Sequence, residues 1–197
     1  MEENRAVRLD FPFDAKKLRE DTQNINSDEW LLHVNERLYH GDWSALPLLA
    51  PEGTLDLHPI AQIVSTAFDP REYVPTPLLE NSPNIQEVLS RFHTTMKTTR
   101  LMRLKPGSKV DIHDDPDFGF NSGEVRIHLV IQTNPDVLFT LGGEEIHMKE
   151  GETWLYNFSL PHGVENKGET DRIHLVIDCE VNDWLKELIK HGVSVDG

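Results

Sequence analysis

The chain has 197 residues, with 19 Lys plus Arg against 34 Asp plus Glu and a formal net charge of −15. Such a polyanion is repelled by phosphate backbones and anionic lipid, so nucleic-acid and membrane partners are not expected and a small-molecule partner is. The length suits one domain over 1–197. The single cysteine, Cys179, excludes an intrachain disulfide or a cysteine metal cage, and no apolar run has the length of a leader or a membrane span, so a cytoplasmic setting is expected.

Residues 1–97 read as a helical, loop-rich support, with 1–50 mainly helical. Ser27 can cap a helix whose first turn carries Asp28 and Glu29, and Trp30, Leu31, Val34 and Leu38 recur at helical spacing. Four prolines over 69–83 predict loop, and Ser82-Pro83 opens a second helix whose buried side carries Ile85, Val88, Leu89 and Phe92. From about residue 98 to 180 short β-branched runs alternate with turns. Strands are expected at Thr99–Lys105, Glu124–Gln132, Val137–Leu141, Glu144–Met148, Thr153–Phe158 and Arg172–Cys179, with Gly142-Gly143 as a two-residue hairpin turn. A helix over Asn182–His191 and a tail complete residues 181–197. The expected class is mainly β with flanking helices: a jelly roll or cupin-like barrel with an N-terminal helical region and a C-terminal helix.

Arg-Ile-His-Leu-Val-Ile occurs twice, at 126–131 and 172–177. Strand alternation puts Arg126 and His128 on one face and Ile127, Leu129 and Ile131 on the other; Arg172 and His174 separate likewise from Ile173, Leu175 and Ile177. In a barrel lined by a polar site, the Arg/His faces would look inward and the apolar faces would pack on outer helices.

The chemistry-bearing pattern is His113-Asp114-Asp115, then His162, then Arg172. Two imidazoles and a carboxylate form the facial triad that holds non-haem Fe(II) with positions left open for a co-substrate and O₂. In extended chain His113 and Asp115 point the same way, and Asp114 is the fallback if the loop kinks. The bland alternatives are an acidic surface loop with an incidental histidine, a turn histidine at Leu160-Pro161-His162-Gly163, and an exposed strand arginine. The order of the residues favours the metal reading, with Arg172 as a planar, permanently charged anchor for the carboxylate of 2-oxoglutarate. His33 and the other scattered histidines read as surface or core residues. His174 shares a face with Arg172 and has no assigned task, and Trp154 reads as core or pocket wall.

From about residue 78 to 188 the chain resembles the aspartyl/asparaginyl β-hydroxylase family of Fe(II)/2-oxoglutarate oxygenases, near its small bacterial members related to cis-proline hydroxylases. The resemblance is carried by the run Arg100 to Ser108, His113-Asp114-Asp115, Arg126-Ile127-His128, Gly151-Glu152-Thr153-Trp154, the run Pro161 to Asn166, and the run Asp171 to Asp178. It implies a double-stranded β-helix, iron on His113, Asp115 and His162, and Arg172 on the distal carboxylate of 2-oxoglutarate. It also implies His128 near the metal-bound end of that co-substrate and Arg126 facing a co-substrate or substrate carboxylate. The animal enzymes that name the family lack the carboxylate ligand, whereas this chain has Asp115. The expected activity is therefore hydroxylation of an unactivated C–H in a free amino acid or related small metabolite, using Fe(II), 2-oxoglutarate and O₂ and releasing succinate and CO₂. Arg126 with Arg100 or Arg103 suggests a carboxylate on the substrate. Hydroxylation of an Asp, Asn or other side chain in a protein, a cupin-type metalloenzyme, and a non-catalytic binding module are the other readings the sequence allows.

Overall fold

The computed structural model describes residues 4–58, 60–63, 69–118 and 122–196. Its strands in chain order are β1 (Asn4–Leu9), β2 (Leu31–Leu32), β3 (Tyr39–His40), β4 (Trp43–Pro51), β5 (Tyr73–Pro75), β6 (Met96–Leu104), β7 (Lys109–His113), β8 (Glu124–Gln132), β9 (Val137–Leu141), β10 (Glu144–Glu145), β11 (Thr153–Tyr156), β12 (His162–Asn166), β13 (Arg172–Glu180) and β14 (Val193–Asp196). The helices are α1 (Ala15–Gln23), α2 (Ile60–Ile63), α3 (Pro77–Glu80), α4 (Pro83–Leu89) and α5 (Asp183–His191).

All described pairings are antiparallel. The larger sheet runs β14-β1-β11-β8-β13-β6-β4-β2 with β5 beside β4, and the smaller runs β10-β9-β12-β7-β3. This is the expected jelly-roll architecture. The outer face of the large sheet carries Ile127, Leu129, Ile131, Leu155, Ile173, Leu175 and Ile177. These bury against Leu18 of α1, Ile85, Val88 and Leu89 of α4, and Leu185 and Ile189 of α5 in one continuous core. At about 25 cal/mol per Å² of apolar surface removed from water, this layer is the main source of cohesion. The inner face packs on the small sheet through Val130, Phe139, Leu141, Trp154, Tyr156 and Phe158. The Gly142-Gly143 hairpin joins β9 to β10, with Leu141 opposite Glu144 and both glycines at positive φ (60° and 86°), as a tight two-residue turn requires.

Residues 1–50 are not mainly helical. β1 and β4 lie there, and 27–38 forms two short 3₁₀ turns around β2 in place of the helix expected from Trp30, Leu31, Val34 and Leu38. The edge of β4 captures this segment: the His33 amide donates to the Trp43 carbonyl, and Leu31 and Leu32 pair with Ala45 and Ser44. Leu32 and Val34 are consequently exposed. β4 escapes sequence reading because almost every residue in it is buried, which removes alternation, and because Pro47 interrupts it. The register shift between Pro47 and Leu49 accommodates the residue that cannot donate to the ladder. The 69–83 loop contains β5 and α3, β10 stops at Glu145 well short of Met148, and β11 stops at Tyr156.

Candidate active site

A cavity of about 390 Å³ opens between the sheets. Its walls include Arg100 and Met102 of β6, Arg126 and His128 of β8, Arg172 of β13, His113 of β7 and His162 of β12, with His33, Val34 and Asn35 on its wall from the 27–38 segment. The alternation expected for the repeated hexapeptide therefore holds: its Ile and Leu face the helices, while Arg126, His128 and Arg172 face the cavity.

His113, Asp115 and His162 each offer a ligand atom, and these atoms all lie within 4.8 Å of one another. The two histidines are direct partners across β7 and β12, so the ladder itself juxtaposes them. His162 begins a strand, not the turn anticipated for it. Gly163 follows it because a Cβ there would lie 3.1 Å from the Val110 carbonyl oxygen. The Nδ1–H of His113 donates to the Asp111 carbonyl (2.8 Å) and that of His162 to the Leu160 carbonyl (3.0 Å), leaving both Nε2 lone pairs available to a cation. Burial pushes His162 down to about 4, so it stays neutral and ready to ligate at ordinary pH. Asp115 is held by its amide, which donates to the Phe158 carbonyl (2.8 Å), whereas Asp114 is exposed and outside the cluster.

Arg126 is anchored more heavily than a free substrate-binding arginine would be. Its Nη1 donates to Asp115 Oδ2 (2.7 Å), while Nε and Nη2 donate to Asp178 (2.7 and 3.2 Å). Its guanidinium lies 4.0 Å over the Phe118 ring. Arg100 Nη1 donates to the same Asp178 (2.9 Å). Burial alone would raise the Asp178 carboxyl, but the two guanidiniums outweigh it and hold the group far below the usual carboxylate range. Asp178 is the residue that sequence reasoning missed. The available signal was parity: it shares a strand face with Arg172 and His174. Arg103 is on the opposite face, stacked 4.4 Å over Trp30 and near Asp42, and takes no part in the cavity.

Arg172 differs from both. It is buried, its Nε has no hydrogen-bond partner, and among the described residues it has no ion pair. Burial lowers it to about 10. Its Nη2 donates to His174 Nδ1 (3.2 Å), and His128 Nδ1 lies 3.2 Å from the same atom. Burial, then Arg172, push both histidines well below their usual value. His33 also sits on the cavity wall rather than serving as a plain surface histidine, stacked 3.7 Å from Trp43, and burial lowers it to about 4.

The family model for aspartyl/asparaginyl β-hydroxylases matches residues 13–181. The chain belongs to that family. Among curated relatives, an L-proline cis-4-hydroxylase from Rhizobium meliloti (strain 1021) is 25% identical over 181 residues, which is 91% of this chain and 62% of the relative. The chain thus spans less than two thirds of that protein's length. Among solved structures, a Pseudomonas putida prolyl-4-hydroxylase has the same fold, with a TM-score of 0.52 at 11% identity, covering 91% of this chain and 94% of that one. A Burkholderia pseudomallei oxidoreductase of the 2OG-Fe(II) oxygenase family gives 0.51 at 14% identity over 84% and 77%. No helix among the described residues is long and apolar enough to cross a membrane.

Proposed function

We propose that this protein is an Fe(II)- and 2-oxoglutarate-dependent hydroxylase of a free amino acid or a related small carboxylate. The observation that carries the proposal is a His/Asp/His cluster beside a buried arginine that has no anion of its own. His113, Asp115 and His162 would hold Fe(II), their donor set being one that suits this ion with positions left open. Arg172 would take the distal carboxylate of 2-oxoglutarate, because a buried guanidinium without a carboxylate is costly until an anion arrives. His128, whose Nε2 is also unpartnered, would lie near the other end of the co-substrate. When bound, Fe(II), 2-oxoglutarate and O₂ supply oxidation of an unactivated C–H, with succinate and CO₂ released.

The remaining work falls to the chain. Arg126 fixes Asp115 through the 2.7 Å bond and is itself fixed by Asp178. Phe118, Phe139 and Phe158 give the cavity apolar walls that exclude water beside the reacting carbon. The three cavity arginines stand with three carboxylates, Asp115 and Asp117 on the cavity wall and Asp178 beside Arg100 and Arg126, and of the three arginines Arg172 alone has no ion pair among the described residues. The similarity to an L-proline cis-4-hydroxylase supports a free amino acid as the substrate.

The test is aerobic turnover with Fe(II), 2-oxoglutarate and a panel of free amino acids beginning with L-proline. Succinate should form together with an amino acid bearing one added oxygen atom, and Arg172→Ala should raise the KM for 2-oxoglutarate by roughly tens to thousands of fold. Failure of every small carboxylate to couple with succinate formation would overturn the substrate class. An Arg172→Ala enzyme with unchanged co-substrate dependence would overturn the anchor.

A further inference from the structure

Behind the cavity wall lies a buried polar group that the proposed chemistry does not use directly. His174 is fully buried on β13, two residues from Arg172, in a position where an apolar residue would satisfy the packing. Two nitrogens converge on its Nδ1, Arg172 Nη2 and His128 Nδ1, each at 3.2 Å. A guanidinium can only donate. The Nδ1 of His174 must therefore present a lone pair, and its proton must sit on Nε2. A contact between two unprotonated nitrogens would be repulsive, so His128 must carry its own proton on Nδ1 and turn an Nε2 lone pair the other way. One arginine thus fixes the tautomers of two histidines. In return, His174 is the only described hydrogen-bond acceptor of Arg172, whose Nε is left unpartnered.

We propose that His174 is the positioning residue of the co-substrate subsite: its Nδ1 holds the Arg172 guanidinium in the orientation that meets a distal carboxylate and locks His128 as the Nδ1–H tautomer. The inference rests on the reading of Arg172 given above. His174 does not touch the co-substrate in this scheme and acts through Arg172. A buried long side chain without a carboxylate partner has several rotamers to choose from, and a single well-placed acceptor removes that freedom before the ligand binds.

The test compares two ligands in protein loaded with Mn(II) in place of iron, by calorimetric titration. One ligand is 2-oxoglutarate; the other is 2-oxopentanoate, which keeps the metal-binding end and lacks the distal carboxylate. His174→Leu should weaken 2-oxoglutarate about 10- to 100-fold, the consequence of one lost charge-assisted hydrogen bond, and leave 2-oxopentanoate within about twofold. His174→Asn should restore most of the loss, since its Oδ1 can accept from Arg172 near where Nδ1 does. Equal weakening of both ligands by His174→Leu would mean a packing role and overturn the inference. So would a His174→Leu protein that binds 2-oxoglutarate normally while Arg172→Ala does not. If Arg172→Ala also binds normally, the reading of the anchor falls first. Should His174→Leu fail to fold, nitrogen NMR of the wild-type Zn(II)-loaded protein decides: Nε2–H on His174 with Nδ1–H on His128 supports the scheme, and any other pair of tautomers overturns it.

Discussion

The Arg100–Asp178–Arg126 cluster makes a quantitative prediction. Asp178 is 1% exposed and receives Arg100 at 2.9 Å and Arg126 at 2.7 Å; Arg126 then reaches Asp115, whose side chain is 31% exposed. Removing one partner from a buried ion pair typically costs about 3–5 kcal/mol, because a charge is left uncompensated. In Arg126→Met the carboxylate of Asp178 keeps Arg100 and that of Asp115 gains water, so the cost should fall near the low end, about 3 kcal/mol. For a chain of this size that is a Tm drop of roughly 6–12 °C. Asp178→Asn is worse: it leaves two buried guanidiniums around a neutral amide, and the upper end, about 5 kcal/mol, is expected. The double variant removes one of those two cations, so it should cost less than the sum of the singles by about 1–3 kcal/mol. Equilibrium urea unfolding of the metal-free protein measures all three. Costs that add to within about 0.5 kcal/mol, or an Arg126→Met protein as stable as wild type, would refute the claim that these charges form one unit.

Two further outcomes are expected. His162→Ala and Asp115→Asn should each abolish Fe(II) binding measured anaerobically by equilibrium dialysis while Asp114→Asn retains it; the opposite result for the two aspartates would shift the ligand by one residue. Burial lowers His33 and His162 from 6.5 to about 4, so the unfolded chain binds more protons than the native one between those values, and the stability they support is complete above pH 6.5 and lost as pH falls toward 4; thermal melts of the metal-free protein should show it, and His33→Phe, which keeps a ring on Trp43, should flatten the slope.

The half of the chain with clean alternation and turn chemistry was legible. β8 and β9 have their expected bounds, and the Gly142-Gly143 turn and the partition of Arg126 and His128 from Ile127, Leu129 and Ile131 follow from the pleat alone. The first 50 residues were not, because the deciding interactions are distant. Trp30 packs under Arg103, and the backbone of His33 is taken by β4. Helical spacing in a short segment cannot compete with a sheet edge that satisfies its donors. In the site, residue types and order pointed to His113, Asp115 and His162, and the structure brings those three together. The pairing of Arg126 with Asp115 and Asp178 was illegible, since it depends on the register of β8 against β13, which no local pattern encodes.

That register also explains why the core and the site cannot vary independently. In the β8–β13 ladder Asp178 lies opposite Arg126 and Val176 opposite His128, with a shift between Ile173 and His174 that sets His174 opposite Val130. A one-residue slip of either strand would turn its cavity residues toward the helices and its isoleucines toward the cavity. Such a slip would bury several unpaired charges in the hydrophobic layer and expose apolar side chains to the polar cavity, a penalty far larger than the stability of a domain. The apolar face that packs on α1, α4 and α5 therefore specifies the inward geometry of Arg126, His128, Arg172 and His174. The same constraint reconciles a net charge of −15 with a cavity lined by three arginines. The excess acid lies mostly on exposed positions, whereas Arg126 and Arg172 sit on strands whose opposite faces are apolar and committed to the core, and Arg100 enters the cavity from β6 beside them. An anion repelled by the exterior still gains inside, because the attraction there acts at short range and is less screened than the exposed charges outside.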